Sequence, residues 1–244
     1  MTSPTPALPA FARTTMRAVT DAAGYDHLIS LPPAAATQAE TTWPVMMFLH
    51  GAGERGHDVW AVARQGVPRL LAFADDLTAA ERRVAERVRD TCVMIAPQCP
   101  QYEVWNEHRL LELLDSVLAS HRVDPRRVYL TGLSMGGFGT WTLGLRHPHR
   151  FAALLPICGG GRIADVLLAS DRHGDALRRL GIWAFHGAND RVVPVEESDR
   201  MVRALEAAHV RDVKLTVYPE AEHDVWTPTY ANAAVYDWLF GHQR

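Results

Sequence analysis

The stretch LTGLSMGGFGTW, residues 130–141, places one serine among four glycines. Ser134 follows the apolar run RVYLTG, which predicts a strand, and precedes a segment that predicts a helix. In that context a G-x-S-x-G motif predicts a tight turn with a nucleophilic serine, where the small residues Gly132 and Gly136 let the two backbones approach each other. The helix N-terminus favours the negative charge that develops during attack. The alternative interpretation is a glycine-rich helix start capped by a serine.

A serine hydroxyl is a weak nucleophile until a base removes its proton. The motif is typical of chains with the order serine, acid, histidine, so the base must follow a suitable acid. His209, His223 and His242 meet that requirement. His209 falls on a predicted helix and His242 in the C-terminal tail, whereas His223 follows the predicted strand VKLTVYP. We therefore predict His223 as the general base, against the alternative of a surface-loop histidine.

The acid that orients the imidazole is predicted to be Asp190, because it follows the end of the predicted strand GIWAFHG. Five other aspartates are less suitable because they precede that strand, lie on a helix or adjoin the histidine: Asp165, Asp171, Asp175, Asp199 and Asp224. Considered alone, Asp190 could also be the turn-forming aspartate of the tripeptide AND.

The tetrahedral intermediate of acyl transfer carries an oxyanion, which two N–H groups must stabilise. One predicted donor is Met135, the residue after the nucleophile, and the other lies in the loop HGAGERG after the predicted strand VMMFLH. We assign this second donor to Ala52, with Gly51 and Gly53 as competitors. His50, at the start of the loop, is predicted to bond within the loop rather than to act as a base.

Three tryptophans follow predicted strand ends or catalytic loops and are candidate substrate-binding residues: Trp105, Trp226 and Trp60. They would wall a pocket for an aromatic or short acyl group, and packing without substrate contact is an equally good interpretation. No cluster of His, Cys, Asp and Glu has the spacing of a metal site, so we predict neither a metal nor another cofactor. The loop GAGERG lacks the Lys-Ser/Thr ending of a phosphate-binding loop.

These residues need a scaffold that brings strand ends together. The predicted strands are residues 25–32, 45–50, 92–97, 127–132, 151–158, 181–187 and 213–219. The predicted helices are residues 77–90, 106–121, 135–148, 195–210 and 230–242. Their alternation predicts an α/β fold with a mainly parallel central sheet that helices cover on both faces. In such sheets ligands bind beyond the carboxyl ends of the strands, which is where the candidate residues fall.

The 244 residues are expected to form one domain, 1–244, with a loose N-terminal segment at 1–15. Residues 159–180 could form a small cap over one side of the site. A net charge of −3 gives no reason to expect nucleic acid as a partner. Neither a signal peptide nor a membrane-spanning run is predicted, so we expect a cytoplasmic protein without membrane insertion. The expected partner is a small-molecule ester, and a homo-oligomer is compatible with the sequence.

Four stretches in chain order resemble one superfamily: HGAGERG, GLSMGGFGTW, FHGANDRVVP and AEHDVW. They are similar to α/β-hydrolase esterases of the prolyl-oligopeptidase-like group, with bacterial carboxylesterases, phospholipase/carboxylesterase-type proteins and dienelactone hydrolase relatives. The resemblance spans residues 25–240. It implies the α/β-hydrolase fold and a catalytic triad of Ser134, Asp190 and His223. The sequence has no long insertion that would form a separate lid, so we expect no large lid domain. Dienelactone hydrolases themselves use a cysteine nucleophile, and this chain has Ser134 at that position.

The sequence therefore predicts a serine carboxylesterase that hydrolyses small acyl or aryl esters through an acyl-enzyme intermediate. A thioesterase or small-peptide hydrolase with the same triad is the alternative among enzymes. A non-catalytic binding protein on the same fold is the alternative from another class. The fold implied by the resemblance also separates Cys99 from Cys158 by about three strand spacings, beyond disulfide reach, so we expect free thiols.

Overall fold

Runs of apolar and β-branched residues form the strands of one central sheet. The computed structural model describes residues 16–21, 24–73 and 76–244, so the segment 1–15, expected to be loose, lies outside the described residues. Within these ranges the strands are β1 (Arg17–Val19), β2 (His27–Ser30), β3 (Trp43–Leu49), β4 (Val93–Pro97), β5 (Val123–Leu133), β6 (Ala153–Ile157), β7 (Gly181–Gly187) and β8 (Val213–Tyr218). They pair in the order β1-β2-β4-β3-β5-β6-β7-β8.

The sheet is antiparallel at one edge and parallel elsewhere. β2 pairs antiparallel with both β1 and β4, whereas the neighbours from β4 and β3 through to β7 and β8 are parallel. Side chains of β3 alternate between two core clusters, with Met46 and Phe48 in one and Val45, Met47 and Leu49 in the other. Because both faces of β3 are buried, its sequence is a continuous apolar run instead of an alternating one.

Helices cover both faces of the sheet. In the described part of the chain the α-helices are α1 (Gly66–Ala72), α2 (Ala79–Thr91), α3 (Glu107–Ser120), α4 (Met135–Arg146), α5 (Ile163–Arg179), α6 (Glu196–Ala207), α7 (Trp226–Tyr230) and α8 (Ala233–Phe240). The helices α1, α2, α7 and α8 contribute to one core cluster, and α3 to α6 contribute to the other. The predicted mainly parallel sheet with helices on both faces is therefore confirmed. Across the described ranges, none of these helices combines the length and apolar character needed to cross a membrane.

The sequence pattern does not predict β1 or α1. β1 has three residues and is largely exposed, so it lacks the apolar run that marks a buried strand. α1 begins at Gly66 and contains Pro68, two residue types that usually interrupt helices. Proline is accepted in the first turn of a helix because the N–H that it lacks would have no acceptor there.

Most of the segment 159–180 is a sheet-covering helix rather than the expected cap. α5 spans Ile163–Arg179 and connects β6 to β7, which are neighbours in the sheet. Its residues Val166, Ala169 and Leu177 are buried in the same core cluster as α3, α4 and α6. α5 is therefore a crossover between parallel strands, and its apolar stripe packs it onto the sheet face instead of over the site.

The candidate residues all follow strands that end at the same edge of the sheet. Ser134 follows β5, Asp190 follows β7, His223 follows β8, and the loop 50–56 follows β3. Because these strands are parallel, their carboxyl ends share one edge. The topology thus brings Ser134 and His223 together although they lie 89 positions apart in the chain.

Candidate active site

Ser134 occupies a sharp turn between β5 and α4. Its φ of 52° and ψ of −116° belong to a region that residues other than glycine rarely adopt, so the turn stores backbone strain. The glycines on either side make the turn possible. A Cβ at Gly136 would overlap the Leu49 carbonyl, and a Cβ at Gly132 would lie 2.5 Å from the Gly136 carbonyl oxygen. The result is a half-buried serine side chain at the carboxyl edge of the sheet.

Ser134, His223 and Asp190 form a continuous hydrogen-bonded chain. Ser134 Oγ lies 3.0 Å from His223 Nε2, and His223 Nδ1 lies 2.6 Å from Asp190 Oδ2. Because an ionised carboxylate only accepts hydrogen bonds, Nδ1 carries the ring proton and donates to Asp190. Nε2 is then free to accept from the Ser134 hydroxyl. This arrangement is able to move the hydroxyl proton to the imidazole during attack on a carbonyl carbon.

The Asp190 carboxylate is buried and accepts several hydrogen bonds. Oδ2 accepts from His223 Nδ1, and Oδ1 accepts from the N–H groups of Val192 at 2.8 Å and Val193 at 2.9 Å. Burial alone would raise the pKa of Asp190, but these hydrogen bonds outweigh burial and hold its pKa below the ordinary value. Asp190 is therefore ionised at neutral pH and is able to stabilise positive charge on His223.

A buried thiol supports the backbone of the loop that carries His223. Cys158 Sγ donates to the His223 carbonyl oxygen at 2.9 Å, and burial raises the pKa of this thiol to about 12. Within the described ranges, Cys158, Asp190 and His223 are also the one group of metal-ligating side chains with ligand atoms close together. The thiol is protonated at neutral pH, and the other two side chains bond each other. The group therefore fits a hydrogen-bonded support better than a metal site.

The loop after β3 lies against the nucleophile and is held by buried hydrogen bonds. A Cβ at Gly51 would lie 3.7 Å from Ser134 Cβ. His50 Nε2 accepts from the Cys99 N–H at 2.9 Å, so its Nδ1 carries the proton and donates to the Gly51 carbonyl at 2.6 Å. Burial lowers the pKa of His50 to about 4, which keeps the ring neutral. His50 thus bonds within the loop and to a neighbouring strand end, as its predicted structural role requires.

The Glu54 carboxylate accepts a hydrogen bond from one of the three N–H groups that we considered as oxyanion donors. The Gly51 N–H donates to Glu54 Oε2 at 3.1 Å, so it is not available to a substrate. Ala52 begins a short 3-10 helix, Ala52–Glu54, and Met135 begins α4. The first N–H groups of a helix have no acceptor within the helix, so these two positions suit an oxyanion. The assignment to Ala52 and Met135 stays a prediction, with Gly53 as the remaining competitor.

A cavity of about 540 Å³ opens beside Ser134 and Met135. Trp105 lines this cavity, and its ring also contacts the His50 ring, with the two centroids 4.7 Å apart. The lining is mainly apolar. The structure therefore brings Trp105 into the position expected of a substrate-binding residue, next to the candidate nucleophile.

The other two candidate tryptophans lie in different surroundings. The Trp226 ring meets the His223 ring edge-on at 5.3 Å, and its Nε1 donates to Gln65. Trp226 therefore packs against the candidate base. Trp60 is half-buried against the core and is not among the described residues that line the cavity. The structure does not bring Trp60 to the cavity beside Ser134, because its side chain packs inward.

Several residues of the site are not identified by the sequence reasoning: Glu54, Phe138, Thr142, Cys158 and His186. Phe138 and Thr142 follow Ser134 at four-residue spacing, so the predicted helix alone would have placed them on the face nearest the nucleophile. Glu54 follows Gly51 by three residues, as in a capping box. Cys158 and His186 carry no such signal, because their contacts depend on how the strands pair.

A protein-family model matches more than half of the chain. Its description is Dienelactone hydrolase family, and the match covers residues 67–236, which include Ser134, Asp190 and His223. Among solved structures, a thermostable esterase has a TM-score of 0.76 and 29% sequence identity, over 94% of this chain and 63% of that chain. The fold is that of the α/β-hydrolase esterases, as the resemblance implied.

Two curated relatives are similar over shorter stretches. Poly(3-hydroxyalkanoate) depolymerase C of Paucimonas lemoignei is 45% identical over 49 residues, which cover 20% of this chain and 12% of the relative. A bifunctional acetylxylan esterase/xylanase of Neocallimastix patriciarum is 27% identical over 131 residues, which cover 52% of this chain and 17% of the relative. The chain therefore spans less than a fifth of the length of either relative.

Proposed function

The chain belongs to the dienelactone hydrolase family. We propose that it is a serine carboxylesterase, with Ser134 at the position where dienelactone hydrolases themselves have a cysteine nucleophile. Membership of this family and the esterase fold support ester hydrolysis as the activity of the chain. The proposal adds the serine mechanism, an acyl-enzyme intermediate and small acyl or aryl esters as substrates. The observation that carries it is the chain from Ser134 Oγ to His223 Nε2 at 3.0 Å and from His223 Nδ1 to Asp190 Oδ2 at 2.6 Å.

In the first half-reaction, Ser134 Oγ attacks the ester carbonyl carbon while His223 Nε2 removes the hydroxyl proton. Asp190 holds the ring and balances the charge of the imidazolium. The N–H groups of Ala52 and Met135 donate to the oxyanion of the tetrahedral intermediate. The bond to the leaving oxygen then breaks, and His223 gives its proton to the departing alcohol.

In the second half-reaction, water takes the place of the alcohol. His223 Nε2 removes a proton from the water, whose oxygen attacks the acyl carbon bound to Ser134. The second tetrahedral intermediate collapses, the bond to Ser134 Oγ breaks, and the serine regains its proton from His223. The products are a carboxylic acid and the free enzyme.

The test is hydrolysis of p-nitrophenyl acetate by wild type, Ser134→Ala and Ser116→Ala. Ser116 is exposed on α3, so its substitution is a matched control for the loss of a hydroxyl. Ser134→Ala should lower kcat by roughly 10⁴-fold or more with the melting temperature kept, because the nucleophile is lost and the fold is not. A Ser134→Ala enzyme that retains wild-type turnover would overturn the proposal.

A labelling experiment identifies the nucleophile independently of any substrate. A fluorophosphonate reagent reacts with activated serines, so the wild type and Ser116→Ala should gain one label at Ser134. Peptide mass spectrometry locates the label. Labelling of another residue, or of Ser134→Ala to the same extent, would contradict the assigned nucleophile.

A further inference from the structure

The cavity beside Ser134 continues along α4 as an apolar groove. Phe138 lines it one turn after Ser134, and Thr142 and Leu143 line it one turn further along α4, together with Val104 and Leu110. The rise from Met135 to Leu143 along the helix is roughly 12 Å. The groove is therefore long enough for an extended group that begins at the nucleophile.

Trp105 forms part of this groove because the residue of α4 that faces its indole is Gly139, which has no side chain. A Cβ at Gly139 would lie 2.8 Å from Trp105 Cδ1, so the indole packs directly on the helix backbone. At the mouth, Val104 and Phe138 leave 69% and 38% of their surfaces exposed. Apolar side chains that flank a groove and stay uncovered are typical of surfaces that a ligand covers.

The position of the groove relative to the base decides which half of an ester it receives. The leaving alcohol must depart beside His223, because His223 protonates it. Within the described residues, the groove lining includes Met135 but no residue from the loops that carry His223 and Asp190. Trp105, which lines the groove, contacts His50 in the loop that carries the candidate oxyanion donor Ala52. The groove therefore lies on the side of the acyl group.

An ion pair marks the far end of the groove. Glu107 lines the groove, and its Oε2 accepts from Arg146 Nη1 at 3.0 Å, one turn of α4 beyond Thr142. An apolar chain that reached this pair would remove water from two charges without offering them hydrogen bonds. The pair therefore limits the length of a chain that binds favourably.

We propose that this groove is the acyl-binding site and that it selects esters of extended apolar acids of about eight carbons. At about 1.25 Å per carbon–carbon bond such a chain extends roughly 9 Å and so fits within the groove of roughly 12 Å. The inference rests on the proposed function, since it assigns a subsite of the same reaction. Thr142 and Phe138 determine acyl specificity, and the Glu107–Arg146 pair sets the upper length.

Two isomeric esters test the proposal directly: ethyl octanoate carries the long chain on the acyl side, and octyl acetate carries it on the alcohol side. The enzymes are wild type, Thr142→Trp and Thr37→Trp, a control at an exposed threonine outside the groove. Acid release is followed by titration at constant pH. Thr142→Trp should lower kcat/KM for ethyl octanoate by about tenfold or more and change octyl acetate by less than about twofold.

A p-nitrophenyl ester series, from acetate to laurate, gives the length profile. In wild type kcat/KM should rise up to octanoate and fall for laurate, and in Thr142→Trp the maximum should move to shorter chains. Phe138→Ala is the second variant, used if Thr142→Trp does not fold. It should lower octanoate turnover by about tenfold and acetate turnover by a much smaller factor, because acetate makes little contact with Phe138.

The outcomes separate this inference from the proposed function. A Thr142→Trp enzyme that loses octyl acetate but retains ethyl octanoate would place the alcohol in the groove and overturn the inference. Equal losses for all esters in both Thr142→Trp and Phe138→Ala would also overturn it. In either case the esterase assignment stands as long as Ser134→Ala is inactive on the same substrates.

Discussion

His186 Nε2 lies 3.3 Å from Asp190 Oδ2, the same carboxylate oxygen that accepts from His223 Nδ1. Two imidazole rings thus each place a nitrogen within 3.3 Å of one oxygen of the candidate catalytic acid. His186 is fully buried, and its Nε2 lies 2.9 Å from the Val193 carbonyl oxygen. Since the Val193 N–H donates to Asp190 Oδ1, His186 braces the turn that holds the acid.

We predict that His186→Leu lowers kcat by about tenfold, because it removes the donor that braces this turn and leaves the Val193 carbonyl unpaired. His186→Gln retains an amide N–H and should lose less. The measurement is kcat and KM for p-nitrophenyl acetate, with melting temperatures to verify folding. Equal activity in the two variants would show that the donor is not needed.

The turn at Ser134 leads to a prediction about stability. Gly136→Ala should destabilise the protein by several kcal/mol or prevent folding, because its Cβ would overlap the Leu49 carbonyl and backbone atoms cannot easily move. Gly53→Ala is the matched control, since a Cβ there meets no described atom within 4 Å. Denaturant unfolding measures both. If Gly136→Ala were as stable as Gly53→Ala, the result would contradict the close contact between the Gly136 backbone and the Leu49 carbonyl.

The outline of the fold follows from the sequence, because buried parallel strands carry continuous apolar runs that alternate with amphipathic helices. The carboxyl-edge rule then locates Ser134, Asp190 and His223 without any coordinates. The side-chain contacts that form only when particular strands become neighbours could not be predicted in this way. His186 and Cys158 look like ordinary strand-end residues until β6, β7 and β8 are neighbours, and Trp60 looks like a pocket residue until its packing is known.

The three thiols should be unreactive in the native protein. Burial raises the pKa of Cys92 and Cys158 to about 12 and that of Cys99 to about 11, so almost no thiolate exists near neutral pH. Ellman's reagent should titrate none of them in the folded enzyme and all three in denaturant. Fewer than three in denaturant would reveal a disulfide, and rapid labelling of the folded enzyme would contradict the burial of these side chains.

His50 should make the folded state sensitive to acid. Its pKa is about 4 when folded and near 6.5 when unfolded, so between these values the unfolded state binds more protons. Stability is therefore lost as pH falls from 6.5 towards 4, with a contribution of up to about 1.4 kcal/mol per pH unit. His50→Gln keeps a donor and an acceptor but does not titrate. Its unfolding free energy, measured by denaturant between pH 7 and 4.5, should fall less steeply than that of wild type, and parallel slopes would contradict the prediction.

Glu54 is predicted to link the rigidity of the loop 50–56, which carries the candidate oxyanion donor Ala52, to catalysis. Its buried carboxylate accepts the Gly51 N–H at 3.1 Å, and Gln98 Nε2 donates to its carbonyl at 2.9 Å. Glu54→Ala leaves the Gly51 N–H without that acceptor, so of the two buried hydrogen bonds that hold Gly51, next to Ala52, only the one from His50 Nδ1 to the Gly51 carbonyl is kept. We expect kcat to fall by about tenfold or more with little change in KM, because the oxyanion forms only in the transition state.

The conservative variant separates this positioning role from the charge of the carboxylate. Glu54→Gln retains an acceptor oxygen of nearly the same reach, so most of the kcat lost in Glu54→Ala should return. Glu112→Ala, at an exposed glutamate of α3, is the control for the loss of a carboxylate. The measurement combines kcat and KM with the inhibition constant of a boronic acid, which mimics the tetrahedral intermediate. Glu54→Ala should weaken inhibition in parallel with kcat. Equal defects in Glu54→Gln and Glu54→Ala would mean that the negative charge, and not the hydrogen bond to Gly51, is what the loop requires.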